Sequence, residues 1–201
     1  MEEDLISVDF ENATHRLILL HGWGADAEDL VPVGKALANQ LSIGLQLICL
    51  RAPEHLSEGD GRQWYPLFPP DWSAVPDAIK KLQSRFQKNS FSSIPFSKTF
   101  LLGFSQGGAM ALASGCAFPF AGLIGCSAYP HPDWLPQANT PPIFLTHGDN
   151  DELVPLEAAK KIFALAKQNN NQCDIYTFNG GHEIPQEAID QISSFISSRC
   201  V

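Results

Sequence analysis

Short apolar runs alternate with longer amphipathic segments along most of this 201-residue chain. Six of the runs are predicted strands, and most of these are apolar almost throughout, as expected for strands that are buried on both faces of a parallel sheet. We predict these strands at residues 14–20, 45–50, 98–104, 121–126, 142–146 and 173–178. Residues 6–10, followed by Glu11-Asn12-Ala13, fit an antiparallel edge strand that turns into the first of the six.

The segments between the strands have helical spacing. Near the C-terminus, for example, Ile189, Ile192 and Ile196 form one apolar stripe. We predict further helices at residues 26–40, 74–88, 106–117 and 155–168. Two segments, 52–72 and 127–141, fit neither period and are predicted to be long loops over one end of the sheet. The alternation predicts an α/β fold with a mostly parallel sheet and helices on both faces, in a single domain over residues 1–201.

A candidate nucleophile lies where the strand at 98–104 meets an alanine-rich helix. The sequence there is Gly103-Phe104-Ser105-Gln106-Gly107, the pattern of the nucleophile elbow of α/β-hydrolases. Glycine is needed on both sides of Ser105 because a side chain would collide with the neighbouring strand or helix. The alternative is a glycine-rich turn that contains an incidental serine.

A serine nucleophile needs a histidine base and an acid that orients it, in the chain order Ser, Asp, His for this fold. His182 follows Gly180-Gly181 after the last predicted strand, and Asp149 and Asp151 follow the strand at 142–146. All lie past carboxyl ends of parallel strands, on the same edge as Ser105. In the alternative interpretation, the histidine is an ordinary loop residue and the aspartates belong to a solvated turn that caps the next helix.

Acyl transfer also requires two N–H groups directed at the carbonyl oxygen, which becomes negatively charged. The segment His21-Gly22-Trp23 follows the first parallel strand, where this fold places one donor. We assign the two donors to the backbone N–H groups of Trp23 and Gln106, the residue after the nucleophile. His21 itself is predicted to be structural rather than a proton carrier.

Aromatic residues crowd one predicted loop, with Trp64, Tyr65, Phe68 and Trp72 close together and Trp134 in the other loop. They fit an apolar pocket for the acyl group, since ligand sites are mostly apolar with few polar groups. They fit equally well a plug that fastens the loop to the domain. The pattern alone leaves both alternatives open.

The net charge of the chain makes some classes of binding partner unfavourable. A net charge of -9, with 13 Lys and Arg residues, disfavours nucleic acids and anionic membranes, because both are bound largely through basic side chains. The acidic start, Met1-Glu2-Glu3-Asp4, and the shortness of the apolar runs predict a soluble cytoplasmic protein without stable membrane insertion. No prediction of oligomeric state follows.

The five cysteines and the scattered histidines argue against a metal or a disulfide framework. The cysteines are odd in number and contain no Cys-x-x-Cys pair, so ordinary thiols are predicted. The histidines show no His-x-His or His-Glu-x-x-His spacing. Neither a metal nor a cofactor is predicted, and the proposed chemistry needs none.

Taken together, these motifs resemble those of the phospholipase/carboxylesterase family, which includes acyl-protein thioesterases. The resemblance rests on Gly-Phe-Ser-Gln-Gly-Gly, Leu-His-Gly-Trp-Gly, His-Gly-Asp-Asn-Asp-Glu-Leu-Val-Pro and Gly-Gly-His-Glu-Ile-Pro, and it runs over residues 17–195. It implies a single α/β-hydrolase domain and a cofactor-free hydrolase of small-molecule esters or acyl thioesters. It also implies a triad of Ser105, Asp151 and His182, which selects the second aspartate of its motif.

Two positions depart from the family pattern, and both lie in loops predicted to face the substrate. Trp23 stands where members commonly have leucine, and Trp64-Tyr65 is followed by Pro66 instead of aspartate. The larger side chain at position 23 predicts a preference for short to medium acyl chains. A second function class stays open: a non-catalytic protein of the same fold that binds a small hydrophobic ligand in the same pocket.

Overall fold

The alternation of strands and helices is confirmed by the computed structural model, which describes residues 5–8, 12–88, 93–169 and 171–200. The strands are β1 (Leu5–Val8), β2 (His15–Leu20), β3 (Leu45–Leu50), β4 (Glu54–His55), β5 (Arg62–Gln63), β6 (Thr99–Phe104), β7 (Gly122–Cys126), β8 (Ile143–Gly148) and β9 (Cys173–Phe178). The helices are α1 (Val31–Gln40), α2 (Val75–Phe86), α3 (Gln106–Gly115), α4 (Leu156–Gln168) and α5 (Gln186–Ser197).

Within the described residues, seven strands form one sheet in the order β1-β3-β2-β6-β7-β8-β9. All neighbours are parallel except β1, which runs antiparallel to β3. The antiparallel edge strand is therefore confirmed, and its partner in the sheet is β3 rather than β2, which follows it along the chain. The reason is that β3 and β6 already occupy both sides of β2. Residues 9–11, the end of that prediction, lie outside the described residues.

Several element boundaries differ by one or more residues from the predicted ones, and two of these differences have clear local reasons. Strand β8 extends to Gly148, two residues past the predicted end, because His147 and Gly148 pair with Thr177 and Phe178 of β9. The predicted helix at 26–40 begins with a 3₁₀ turn over Ala27–Leu30, and α1 starts only at Val31. Pro32 lies in the first turn of α1, where its missing N–H costs nothing.

Helices cover both faces of the sheet, as predicted, because successive strand residues point to opposite sides. On one face, Ile18 and Leu20 of β2 pack in a core with residues of α2, α3 and α4. On the other face, Leu17 and Leu19 pack with residues of α1 and α5. Both faces of the central strands are thus buried, and the parallel strands β2, β6, β8 and β9 end at one edge.

The loop at 52–72 lies against this edge and contains a small antiparallel hairpin. Strands β4 and β5 pair through Glu54 with Gln63 and His55 with Arg62. The hairpin is tied to the segment after β2, since Gly24 N–H donates to Arg62 O at 2.9 Å and Arg62 N–H donates to Ala25 O at 3.0 Å. This loop therefore supports the segment in which the Trp23 donor is predicted.

Candidate active site

Ser105 lies between β6 and α3 in a strained backbone conformation. Its φ is 54° and its ψ is -118°, a region that residues with a side chain avoid. Such strain costs on the order of 1–3 kcal/mol and persists only where the surroundings enforce it. The Ser105 N–H donates to Cys126 O at 2.8 Å, which ties the turn to the end of β7. The conformation matches the predicted elbow.

The glycines on both sides of Ser105 are required by close backbone approach. A Cβ at Gly103 would overlap the carbonyl oxygen of Gly107, at the start of α3. A Cβ at Gly107 would overlap the carbonyl oxygens of Leu20 and His21, at the end of β2. The elbow is therefore packed against the segment after β2, as the steric interpretation of the motif predicted.

Asp151 and His182 are joined by a hydrogen bond of 2.8 Å between Oδ2 and Nδ1. The other carboxylate oxygen, Oδ1, accepts from the backbone N–H groups of Leu153 at 3.0 Å and Val154 at 2.9 Å. Asp151 is 7% exposed, so its position is fixed by packing and by these bonds. With Nδ1 of the imidazole bound to the acid, Nε2 is the nitrogen that is available as a base.

The ionisation of Asp151 fits this role. Burial raises the pKa of its carboxyl group, but the hydrogen bonds from Val154 N–H and from His182 outweigh burial, and the pKa lies below its ordinary value. The group is therefore an ionised acceptor near neutral pH.

Because folding lowers the pKa of Asp151, its contribution to stability is present above the unfolded-state pKa of about 3.9 and is lost as the pH falls through the lower folded pKa. We expect the melting temperature of the wild type to fall more steeply with acid below about pH 4 than that of Asp151→Asn, which has no carboxyl group there to protonate. Thermal unfolding of both proteins between pH 2 and 7 checks this, and equal slopes would contradict it.

The loops that carry the acid and the base are held together by the sheet. At the ends of β8 and β9, Asp149 N–H donates to Phe178 O at 2.8 Å and Asn150 N–H donates to Gly180 O at 2.9 Å. A Cβ at Gly148 would overlap the carbonyl oxygen of Gly180, so the two loops touch through their backbones. This contact fixes the distance between the loop that carries Asp151 and the loop that carries His182.

The Asp149 carboxylate does not make the hydrogen bonds that we expected. The sequence suggested that its carboxylate bonds backbone N–H groups and stiffens the turn. In the described part of the chain, the Asp149 side chain is exposed and accepts no hydrogen bond, while its backbone N–H extends the β8–β9 ladder. Asp151 accepts the two N–H groups instead, because the groups that lack a partner lie after it, at Leu153 and Val154.

His147 supports the acid and was not predicted from the sequence. Its Nε2 lies 2.7 Å from the carbonyl oxygen of Val154 and 3.5 Å from Oδ2 of Asp151. The side chains of His147 and Asp151 are both 0% exposed. The only signal in the sequence was a histidine at the buried end of a strand, four residues before Asp151. The spacing of His147 from the other histidines carries no sign of this contact.

His182 lies beside the elbow and borders a cavity. Its ring packs on that of Phe104, the residue before the predicted nucleophile, with centroids 4.7 Å apart. A cavity of about 290 Å³ adjoins both rings and is bounded on its other side by Gly22 and Leu30. The predicted base and nucleophile loop thus meet at an open space that could receive a substrate.

The two predicted oxyanion donors have no hydrogen-bond acceptor among the residues that the structure describes. In the described residues, neither the backbone N–H of Trp23 nor that of Gln106 donates to a protein acceptor. Gln106 is the first residue of α3, where N–H groups lack partners in the helix, and it is fully buried. Buried N–H groups without a partner are rare in folded proteins, so that of Gln106 is unusual, whereas Trp23 is 37% exposed. These two are thus available to an oxygen of a ligand.

Two aromatic residues of the 52–72 loop fasten the loop to the domain, and a third remains a candidate for the acyl pocket. Trp64 and Tyr65 are 2% and 0% exposed, so they leave no surface for a substrate and fasten the loop to the domain. Their assignment to the pocket is therefore corrected. Phe68 is 73% exposed and packs edge to face on Trp23, with ring centroids 4.8 Å apart. Phe68 is thus exposed, and its role in a pocket stays a prediction.

The described residues contain neither a metal-binding cluster nor a disulfide. Among the described residues, no three His, Cys, Asp or Glu side chains are grouped closely enough to hold a metal ion. All five cysteines are free, and Cys49, Cys126 and Cys173 are buried. Burial raises the pKa of each of these three thiols to about 12, which keeps them unreactive as nucleophiles. No helix in the described part of the chain is long and apolar enough to cross a membrane.

The chain is similar to curated proteins named as an acyl-protein thioesterase and a probable carboxylesterase. The chain is 30% identical over 163 residues to an acyl-protein thioesterase 1 of Neurospora crassa, a match that covers 68% of this chain and 64% of the relative. It is 28% identical over 140 residues to a probable carboxylesterase of Arabidopsis thaliana named SOBER1-like, with 65% of this chain and 53% of the relative covered. The matches thus span between about half and two thirds of the length of these curated relatives.

Solved structures share the fold over nearly the whole chain. The esterase PE8 superposes with a TM-score of 0.85 at 24% identity, covering 96% of both chains. At this identity the likeness shows the fold, which is that of the α/β-hydrolases. The profile of one family, described as Phospholipase/Carboxylesterase, matches residues 2–200, nearly the entire sequence. The chain therefore belongs to the phospholipase/carboxylesterase family.

Proposed function

We propose that this protein is a serine hydrolase that cleaves carboxylic esters or acyl thioesters through an acyl-enzyme intermediate. The observation that carries the proposal is the 2.8 Å bond between Asp151 and His182 beside the elbow that presents Ser105. Relatives named carboxylesterase and acyl-protein thioesterase support the ester or thioester class.

The proposed reaction begins when Ser105 Oγ attacks the acyl carbon while His182 Nε2 takes the hydroxyl proton. Asp151 holds the imidazole in the required tautomer and stabilises the imidazolium that forms. The carbonyl oxygen becomes negative and accepts from the N–H groups of Trp23 and Gln106. His182 then gives its proton to the departing alcohol or thiol, which leaves the acyl group on Ser105.

The second half of the cycle repeats these steps with water. His182 takes a proton from a water molecule, whose oxygen attacks the acyl carbon, and the carboxylic acid leaves as the proton returns to Ser105. Each proton is carried by His182, so the cycle uses no cofactor. The proposed substrates are small-molecule esters or thioesters.

A turnover assay tests this function directly. We expect the purified chain to hydrolyse p-nitrophenyl butyrate and a butyryl thioester well above the background rate, with an early burst of p-nitrophenol if deacylation is slow. Binding of either substrate without turnover would favour the alternative class, a non-catalytic binding protein. In such a protein the Asp151–His182 bond and the two N–H groups without partners would have no role.

We predict that short to medium acyl chains are preferred to long ones. Trp23 and Phe68 form an exposed aromatic pair beside the proposed donor of residue 23. We propose that the large ring at position 23 leaves less room for an extended chain. The specificity constants for acetyl, butyryl, octanoyl and palmitoyl esters measure the preference. Trp23→Leu should raise the palmitoyl value relative to the acetyl value, because the backbone N–H of residue 23 is retained. A steady rise to the longest chain in the wild type would refute the prediction.

A cytoplasmic location is part of the same proposal. The five free cysteines are typical of a reducing compartment. The net charge of -9 makes nucleic acid an unfavourable partner. Cell fractionation tests the location: we expect the protein in the cytosolic fraction, and recovery in the membrane or secreted fraction would contradict this.

A further inference from the structure

Trp64 is hydrogen bonded to both of the segments that carry the proposed oxyanion donors. Its indole Nε1–H donates to the carbonyl oxygen of His21 at 2.9 Å. Its backbone N–H donates to Oε1 of Gln106 at 3.0 Å, and the Gln106 amide donates in return to Tyr65 O at 2.8 Å. One buried residue thus joins the segment after β2 to the first residue of α3.

His21 sets the orientation of the next peptide group. Its Nε2 accepts from the backbone N–H of Ala52 at 3.0 Å, so the ring proton must be on Nδ1. Nδ1 lies 2.7 Å from the carbonyl oxygen of Gly22 and donates to it. Burial lowers the pKa of His21, which favours the neutral ring that these two bonds require.

The bond to Gly22 O determines where the Trp23 N–H points. The carbonyl of Gly22 and the N–H of Trp23 belong to the same trans peptide, which is planar, so they point in opposite directions. With the carbonyl oxygen held by His21, the N–H is turned away from the imidazole. It has no protein acceptor among the described residues, consistent with a donor kept for a ligand.

We propose that Trp64 is a positioning residue for the oxyanion hole. Together with His21 and Gln106 it forms what we call the oxyanion frame, which fixes the relative position of the N–H groups of residues 23 and 106. The inference rests on the proposed function. The two donors come from different loops, and a displacement of about 1 Å in such a site can cost about 100-fold in rate. A direct cross-connection between the loops is therefore needed.

Trp64→Phe tests the frame by removing the indole N–H while keeping a ring in the buried site and the backbone N–H at residue 64. We expect kcat to fall by about 10- to 100-fold, which is no more than the decrease caused by removing a whole oxyanion donor. KM should change by less than about threefold. Rates are normalised to active sites titrated by a burst. Tyr176→Phe is the control, since it also removes one aromatic donor, here to Glu187 at 3.2 Å, and should leave kcat unchanged.

A transition-state analogue separates positioning from general destabilisation. A trifluoromethyl ketone would add to Ser105 and place an oxyanion between the two donors. For Trp64→Phe, its inhibition constant should rise by the same factor as kcat/KM falls. A variant that was only less stable would show a lower melting temperature with unchanged values per folded active site, and that result would overturn the proposal.

Two variants of His21 provide an independent test. In His21→Asn, the amide N–H2 lies near the position of Nδ1 and can still donate to Gly22 O. In His21→Gln, the longer side chain reaches the position of Nε2 and can replace only the acceptor for Ala52 N–H. Each loses one of the two bonds, so similar decreases in melting temperature are expected. The frame predicts a kcat at least about 10-fold higher for His21→Asn than for His21→Gln.

The outcomes distinguish the frame from the function on which it rests. An active wild type whose kcat is unaffected by Trp64→Phe, or equal kcat values for the two His21 variants, would overturn the frame and leave the hydrolase in place. A wild type without hydrolysis would overturn the proposed function and the frame with it.

Discussion

Ser105→Ala is expected to abolish ester hydrolysis without unfolding the protein. In a serine-protease template, loss of the nucleophile costs about 10⁶-fold in kcat, and we expect a decrease of that order, to the background rate. The elbow is enforced by Gly103, Gly107 and the bond from the Ser105 N–H to Cys126 O, none of which involves the hydroxyl group. The melting temperature and circular dichroism should therefore match those of the wild type.

The measurement is turnover of p-nitrophenyl butyrate by both proteins at equal concentration. Ser198→Ala serves as a control because its hydroxyl donates to Phe195 O, at the end of α5 and away from the elbow. Wild-type turnover in the Ser105 variant would show that another residue is the nucleophile.

Asp151→Asn is expected to lower kcat by about 10⁴-fold, the penalty for the same change in the serine-protease template. Asparagine can turn its N–H2 group toward His182, and the imidazole then adopts the wrong tautomer, with its proton on Nε2. The loss of the charge also removes the stabilisation of the imidazolium. KM should change little, because Asp151 is buried behind the histidine and does not face the cavity.

Asp149→Asn is the matched control, an identical substitution two residues earlier in the same loop. Its exposed side chain accepts no hydrogen bond in the described part of the chain, so kcat and melting temperature should both stay close to wild type. A collapse of activity confined to the Asp149 variant would assign the acid role to that residue.

The strands and the elbow could be predicted because their physical causes are local. A strand that is buried on both faces must be apolar along most of its length, and β3 accordingly begins and ends at the predicted residues. The elbow motif was recognisable because glycine is required at two fixed distances from Ser105. These features depend on a few neighbouring residues, so the sequence displays them.

The remaining details depend on contacts between distant segments. The two aspartates have the same residue type and occupy the same loop, and only the direction of the backbone places Asp151 against His182, 31 residues later. The burial of Trp64 depends on bonds to His21 and Gln106, which lie 43 and 42 residues away. Neither contact leaves a periodic pattern in the sequence, so an aromatic cluster in a loop fits a pocket and a plug equally well.

The most direct test of the central claim is covalent labelling of the nucleophile. The wild type is incubated with a fluorophosphonate, digested, and analysed by tandem mass spectrometry, with Ser105→Ala treated in parallel. We predict one phosphonyl adduct per chain, located on Ser105, with protection by an excess of ester substrate and no adduct in the variant. An unlabelled wild type, or an adduct on another residue that persists in the variant, would contradict the assignment of Ser105 as the nucleophile.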